Sequence, residues 1–415
     1  MFSLHQLIEK YGPPDALIDH WDSSSNRFAI WGFEEEFVIT STGKCLRNGE
    51  KIDSPPMDAW QDTLNHWKLD DKELSAMGYI SYDLKNLLFP HIPFNNPDNS
   101  HPLLWFGKPT HVESYDISER RLQALPMIYL EKDIPLPIEY KSAIHEIKTY
   151  LLNGDSYQIN FTQPKLYELT EDPLNIYLTM REFIRPHYGM YLNQHDLQIL
   201  SFSPERFFRT LGLEIESFPM KGTCPRAKDI IQDKSLADKL YLSSKDRAEH
   251  LMIVDLLRND LGKVCKYGSV EVNDLYSIHS FETVHQMVSR VFGQLQNYIN
   301  ETDIIKALFP GGSITGAPKE RSMEIIDTLE GYQRGIYTGG LGYIQKNGYM
   351  DFNIAIRTMT IKDRKGIYPV GGGIVWDSDP LDEWREAHQK SKIFSPFIQK
   401  RDIEFTKLGD ELHSN

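Results

Sequence analysis

Cysteine is scarce in this sequence. Cys45, Cys224 and Cys265 are the 3 present in 415 residues, without C-x-x-C spacing, so neither a disulfide framework nor a zinc site can be built from them. Long apolar runs are also lacking. No stretch approaches about 20 uncharged apolar residues, which excludes a membrane-spanning helix. Residues 1–11 carry His5, Glu9 and Lys10 where a secretory signal needs an apolar stretch, so a cytoplasmic location is expected. Positive charge is outweighed: 45 Lys+Arg face 59 Asp+Glu, for a net charge of −14. No Lys/Arg run is long enough to track a phosphate backbone, so neither nucleic acid nor membrane is expected as a partner. What is abundant is core material, 40% hydrophobic and 12% aromatic, enough for a folded protein and too much for a disordered one.

Residues 1–130 read as short strands joined by Pro-rich loops, with strands at 27–31 and 77–82 and a short helix at 58–69. Apolar residues at helical spacing predict a helix over 138–152, stopped by Asn153-Gly154 and followed by a strand at 157–161. Long helices are expected at 235–261 and 318–329, strands at 197–202, 211–218, 337–344 and 350–361, and a last helix at 380–398. The N-terminal region 1–130 and a catalytic region 131–400 are expected to share one compact unit, followed by a tail at 401–415.

Almost half of the 27 glycines fall between Gly311 and Gly373, inside the best-patterned region, where glycine permits close approach to the backbone. The run Gly371-Gly372-Gly373 could present backbone N–H groups to a carboxylate, or form a bulge or turn. Glu249 shares a helical face with Met252, Ile253 and Leu256, and Glu386 aligns with Lys390, Ile393 and Phe397. Such carboxylates need a counter-charge: either a buried ion pair, Glu386 with Lys390 being a candidate, or a shared hard cation such as Mg²⁺.

Lys221, in Pro219-Met220-Lys221-Gly222-Thr223, is either a surface lysine or a nucleophile. As a nucleophile it must be neutral, and lowering a lysine from about 10.4 to near 7 takes about 4 kcal/mol of selective destabilisation of its charged form. Glu205, in Ser203-Pro204-Glu205-Arg206, could pair with Arg206 or Arg209. His279 and His285 flank a short turn ahead of a strand, where histidines commonly serve as hydrogen-bonded structural residues. Arg357 should lie opposite Phe352 on its strand unless a bulge intervenes, and could bind a carboxylate bidentately or be a surface cation.

In combination these segments resemble a known family. Lys221-Gly222-Thr223, the run Glu249-His250-Leu251-Met252-Ile253-Val254-Asp255 through Asn259-Asp260, then Gly312-Ser313-Ile314-Thr315-Gly316-Ala317-Pro318-Lys319, and finally Gly371-Gly372-Gly373 occur in the order found in the chorismate-utilising enzymes. That family includes the component I chains of anthranilate and aminodeoxychorismate synthases and the isochorismate and salicylate synthases. The resemblance covers residues 138–398, with a weaker signature at Gly78-Tyr79-Ile80-Ser81-Tyr82-Asp83. It implies an α+β fold of two large packed antiparallel β-sheets surrounded by helices, with Mg²⁺ and chorismate in a deep cleft. By position Glu249 and Glu386 resemble the metal ligands, and Glu205 resembles the general acid for the departing C4 hydroxyl. Thr315, Gly371, Gly372, Gly373 and Lys390 resemble substrate-binding positions, Tyr337 with Arg357 the clamp on the enolpyruvyl carboxylate, and His285 the histidine near the substrate.

Two positions choose among members. Lys221 stands where anthranilate synthases have alanine and resembles the lysine of the aminodeoxychorismate synthases, proposed there to attack C2 before ammonia adds at C4. Gln158 stands where the isochorismate and salicylate synthases carry a water-activating lysine, which favours ammonia as the nucleophile. The resemblance therefore implies synthesis of 4-amino-4-deoxychorismate for p-aminobenzoate and folate, with anthranilate synthesis or non-catalytic chorismate binding as alternatives. No Gly-x-Cys-x-Gly segment of a glutamine amidotransferase occurs, so a separate glutaminase subunit is the expected ammonia source. A chain of 415 residues also leaves no space for a fused lyase, so p-aminobenzoate itself is not the expected product.

Overall fold

In the computed structural model the described residues are 2–21, 27–95, 101–116, 127–130, 137–281 and 284–398. The expected tail at 401–415 lies outside them.

One antiparallel ladder runs through the molecule. From one end it passes through Gln158–Leu169, Lys365–Ile374, Thr358–Lys362, Leu197–Ser203, Tyr188–Gln194, Ala16–Asp19 and Arg27–Ile39. It continues through Leu104–Asp116, Leu74–Ile80, Gly340–Gln345, Met350–Ile354, Arg206–Leu211 and Glu214–Ser217 to Val284–Gln294. Met220–Pro225 and Glu271–Ser280 complete the far end, each paired with Val284–Gln294. The two halves face each other across an apolar layer in which Met190, Leu192 and Ile199 of the first meet Met77, Tyr79 and Leu341 of the second. The fold is α+β, two packed sheets continuous through the strands of the N-terminal region, which occupy the middle of the ladder.

Helices cover the outer faces. Ile138–Leu152 buries Tyr140, Ala143, Ile144 and Ile147, and with Ile325 and Trp384 it seals the strand pair Gln158–Leu169 and Lys365–Ile374. Its chain reversal uses Gly154 at φ +80°, a left-handed position where glycine carries no steric penalty. Each large apolar side chain buried this way contributes about 1.5–3 kcal/mol.

Four elements differ from their sequence expectations. The helix expected at 235–261 is two, Ile230–Leu242 and Ser244–Gly262, because the Ser243 side chain accepts from Asp246 N and caps the second. The strand expected at 211–218 is a hairpin, Arg206–Leu211 with Glu214–Ser217, turning at Gly212 with φ +60°. The strand expected at 350–361 breaks into Met350–Ile354 and Thr358–Lys362, since Arg357 is left-handed with φ +50°. The last helix ends at Ser391 and tightens into a 3₁₀ segment, Lys392–Phe397, that contains Pro396.

Candidate active site

The floor of the site is the end of the strand pair in which Gly371, Gly372 and Gly373 face Thr162, Phe161 and Asn160. The three glycines are extended strand, not the alternating-handed turn that forms an anion nest. What they provide is space. A Cβ on Gly371 would sit 2.1 Å from Phe161 O, and one on Gly373 would sit 2.8 Å from Gln158 Cδ and 3.0 Å from Lys221 Nζ. On Gly372 it would meet Lys390 Nζ, Glu383 Oε2 and Glu386 Oε1 at 3.4, 3.5 and 3.6 Å. The chemistry-bearing side chains thus converge on a bare backbone.

Lys221 reaches this floor from Met220–Pro225, where Gly222 at φ +65° shifts the register. Its Nζ donates to Gln158 Oε1 at 3.1 Å. Burial holds the Lys221 pKa below its ordinary value and the Lys390 charge adds to that, while Glu249, Glu205 and Glu386 oppose it. Glu205 follows the strand Leu197–Ser203 and is buried, accepting from Ser313 Oγ at 3.0 Å. The arginines beside it are committed elsewhere, Arg206 to Asp351 and Arg209 to Glu216. Burial therefore prevails over Ser313 and Lys221 and pushes the Glu205 carboxyl up to about 7. A lysine with a lowered pKa and a carboxyl with a raised one lie within electrostatic reach of each other.

Carboxylates from two helices also reach the site. Glu249 projects from Ser244–Gly262 and Glu386 from Pro380–Ser391, where Glu386 pairs with Lys390 at 2.9 Å as the i, i+4 spacing suggested, but as a largely exposed pair and not the buried one expected. Burial raises Glu249, with Asp246 and Glu386 adding like charge against Lys221 and Lys245. Lys390 lowers Glu386. Glu383, one turn before Glu386, is raised by burial and by Glu386 despite a hydrogen bond from Ser378 Oγ at 2.6 Å. Carboxylates close enough to raise one another fit a hard cation. Among the described residues no three or more His, Cys, Asp or Glu side chains close into a metal cage, so a cation here would complete its shell with water or an anionic ligand, as Mg²⁺ commonly does.

Thr315 is fully buried, its Oγ1 donating to Gly311 O at 2.9 Å and its carbonyl accepting from Asn160 N at 2.7 Å, which braces the floor strand. Lys390 Nζ donates to Gly371 O at 2.7 Å. Tyr337 is buried. Arg357 lies in the break between two strands, so its strand parity does not hold, and its charge is felt by the Tyr368 phenol of the floor strand. Among the described residues its guanidinium forms no ion pair. His285 has both ring nitrogens engaged: its Nδ1 is bonded to Ser280 Oγ at 2.8 Å and its Nε2 to Asp233 Oδ1 at 3.0 Å. The histidine that senses Lys221 is His250, pushed down to about 4 by burial and that charge, with Nε2 on Ser289 Oγ at 2.7 Å. Sequence reasoning missed Glu383 and Ser313 as site members; the i, i+3 spacing of Glu383 and Glu386 was a usable signal.

A profile described as chorismate binding enzyme matches residues 20–396. The chain is 41% identical over 268 residues to aminodeoxychorismate synthase component 1 of Bacillus subtilis, covering 65% of this chain and 56% of that one. It is 42% identical over 252 residues to the protein of the same name from Escherichia coli, covering 61% and 56%. The chain thus spans little more than half the length of these curated relatives. Among solved structures, anthranilate synthase component I from Streptococcus pneumoniae superposes with a TM-score of 0.78 at 25% identity, covering 89% of this chain and 92% of that one.

Proposed function

Since the chain belongs to the chorismate binding enzyme family, we propose that it is the component I type of aminodeoxychorismate synthase, converting chorismate and ammonia to 4-amino-4-deoxychorismate on the route to p-aminobenzoate and folate. The observation that carries this reading is Lys221, a lysine with lowered pKa hydrogen-bonded to Gln158 and within electrostatic reach of the raised Glu205 carboxyl. The similarity to the component 1 chains supports it.

In this reading Lys221 Nζ, as the free amine, attacks C2 of the chorismate ring while the ring double bond shifts and the C4–O bond breaks. Glu205 gives its proton to the leaving hydroxyl, which departs as water. Ammonia then adds at C4, the C2–N bond breaks, and Lys221 regains its lone pair. The Glu205 carboxylate takes a proton from the new ammonium group and is reset. Two displacements on opposite faces leave the amine on the face the hydroxyl vacated. Gln158 orients the lysine, while Lys390, Arg357, Tyr337 and the glycine floor receive the two carboxylates. Glu249 and Glu386 would hold Mg²⁺, with Glu383 beside them, and that ion when bound supplies positive charge against the ring carboxylate.

Ammonia has to be generated, and the three cysteines lack the setting of an amidotransferase nucleophile. A glutamine amidotransferase subunit is proposed as the partner, and the component 1 naming of the relatives supports a second component. The test is incubation of the full chain with chorismate, Mg²⁺ and ammonium near pH 8.5, followed by chromatography with mass detection. Aminodeoxychorismate, turning into p-aminobenzoate only when a lyase is added, is the expected product. Anthranilate as the product would overturn the assignment of Lys221.

A further inference from the structure

We propose that Glu330 and Arg334 are positioning residues for the substrate-binding surface, holding in register the backbone segments on which a dicarboxylate substrate rests; the inference depends on the chorismate reading above. Both are buried. Arg334 Nε and Nη2 donate to the two carboxylate oxygens of Glu330 at 2.8 and 2.8 Å. Its remaining donors go to backbone and hydroxyl: Nη1 to Ile314 O at 2.8 Å and Thr338 Oγ1 at 3.3 Å, Nη2 to Asn160 O at 2.7 Å. All the guanidinium N–H groups are used, and the group lies over the Tyr82 ring at 4.6 Å.

Each partner adjoins the floor of the site. Ile314 precedes Thr315, Asn160 faces Gly373, and Thr162 faces Gly371. Glu330 Oε1 accepts both Thr162 N and Thr162 Oγ1 at 2.8 and 2.8 Å. The reason lies in the sheet edge. The short strand Gly316–Ala317 pairs with Gln158–Leu169 only at Gln158 and Ile159, and Thr315 O then takes Asn160 N. Beyond Asn160 on that side, among the described residues, the short strand no longer pairs at Thr162, and Thr162 N donates to the Glu330 carboxylate instead. A buried ion pair is poor evidence of stabilisation, because apolar replacements are often neutral. What it does give is directional bonding: a planar fork of donors that fixes two carbonyls in the plane of one carboxylate.

The test uses the full chain with chorismate, Mg²⁺ and ammonium, and compares Arg334→Lys, Thr162→Val and Thr162→Ser with wild type. Chorismate Kd without ammonium, KM, kcat, half-saturating Mg²⁺ and melting temperature are read in parallel. Arg334→Lys keeps the charge but cannot span three acceptors, so Kd and KM should rise tenfold or more while kcat falls by less, with half-saturating Mg²⁺ at saturating chorismate unmoved. Thr162→Val, which keeps the backbone bond to Glu330 but deletes the hydroxyl's bonds to Glu330 and to the Tyr332 phenol, should raise Kd and KM about threefold, and Thr162→Ser should restore them. If Arg334→Lys does not fold, the Val and Ser pair decides. Folded variants that lose melting temperature yet keep the wild-type Kd and KM would overturn the inference. A wild-type chain that neither binds nor consumes chorismate would instead overturn the functional reading, and this inference with it.

Discussion

Gln158 Oε1 accepts a hydrogen bond from Lys221 Nζ at 3.1 Å, the two side chains meeting over the bare backbone of Gly373. A neutral acceptor orients the amine without favouring its charged form, whereas a carboxylate there would stabilise the ammonium. Gln158→Glu is therefore expected to raise the Lys221 pKa and move the corresponding limb of the kcat/KM profile at least one pH unit upward, a loss of about tenfold at pH 7. The pH–rate profiles of wild type and variant check this; superimposable limbs would contradict it.

Glu205 makes a paired prediction. Burial raises its pKa to about 7 in the fold from about 4.5, so the folded protein holds a proton that the unfolded chain releases. Stability tied to this group is therefore present below about pH 4.5 and is lost as pH rises toward 7, on the order of 3 kcal/mol in total. Glu205→Gln keeps an acceptor for Ser313 but no longer titrates. It should unfold at higher urea than wild type at pH 8, differ less at pH 5, and lose at least 100-fold in kcat. Parallel urea curves at both pH values would count against the raised carboxyl.

The glycine floor gives an ordering. Gly371→Ala drives its Cβ to 2.1 Å from Phe161 O, a backbone atom that cannot step aside, and should destabilise the fold by roughly 1–3 kcal/mol. Gly373→Ala strikes Gln158 and Lys221 Nζ at 2.8–3.0 Å, so it should fold but lose at least tenfold in kcat. Gly372→Ala meets side-chain ends at 3.4–3.6 Å and should be the mildest of the three. Melting temperature and kcat for the three variants test the order.

The coupled carboxylates should set the metal requirement. Glu249→Gln and Glu386→Gln are each expected to raise half-saturating Mg²⁺ tenfold or more, and Glu383→Gln by less, since Glu383 is already engaged by Ser378. Activity titrated with Mg²⁺ distinguishes these, and unchanged half-saturation in all three would remove the carboxylates from metal binding.

Much of this was legible locally. The helix Ile138–Leu152 follows from its apolar spacing and its Asn-Gly stop, and Glu249, Glu386 and Lys390 share a region because helical periodicity and motif order say so. Other features depend on partners far away in the chain. The Thr162–Glu330 and Asn160–Arg334 bonds span 168 and 174 residues, and no local pattern announces them. Arg357 looked like a strand residue because a left-handed non-glycine carries no sequence signal. Glu205 had two arginines at hand, and only the fold commits both of them to Asp351 and Glu216 and leaves its carboxyl with Ser313.

The nucleophilic role of Lys221 is the central claim, and intact-protein mass spectrometry with chorismate and Mg²⁺ in the absence of ammonia tests it most directly. The account predicts a gain equal to chorismate minus water, mapped to Lys221, absent in Lys221→Ala and discharged when ammonium is added. Amination that proceeds at the wild-type rate in Lys221→Ala, with no adduct on the wild-type protein, would contradict it.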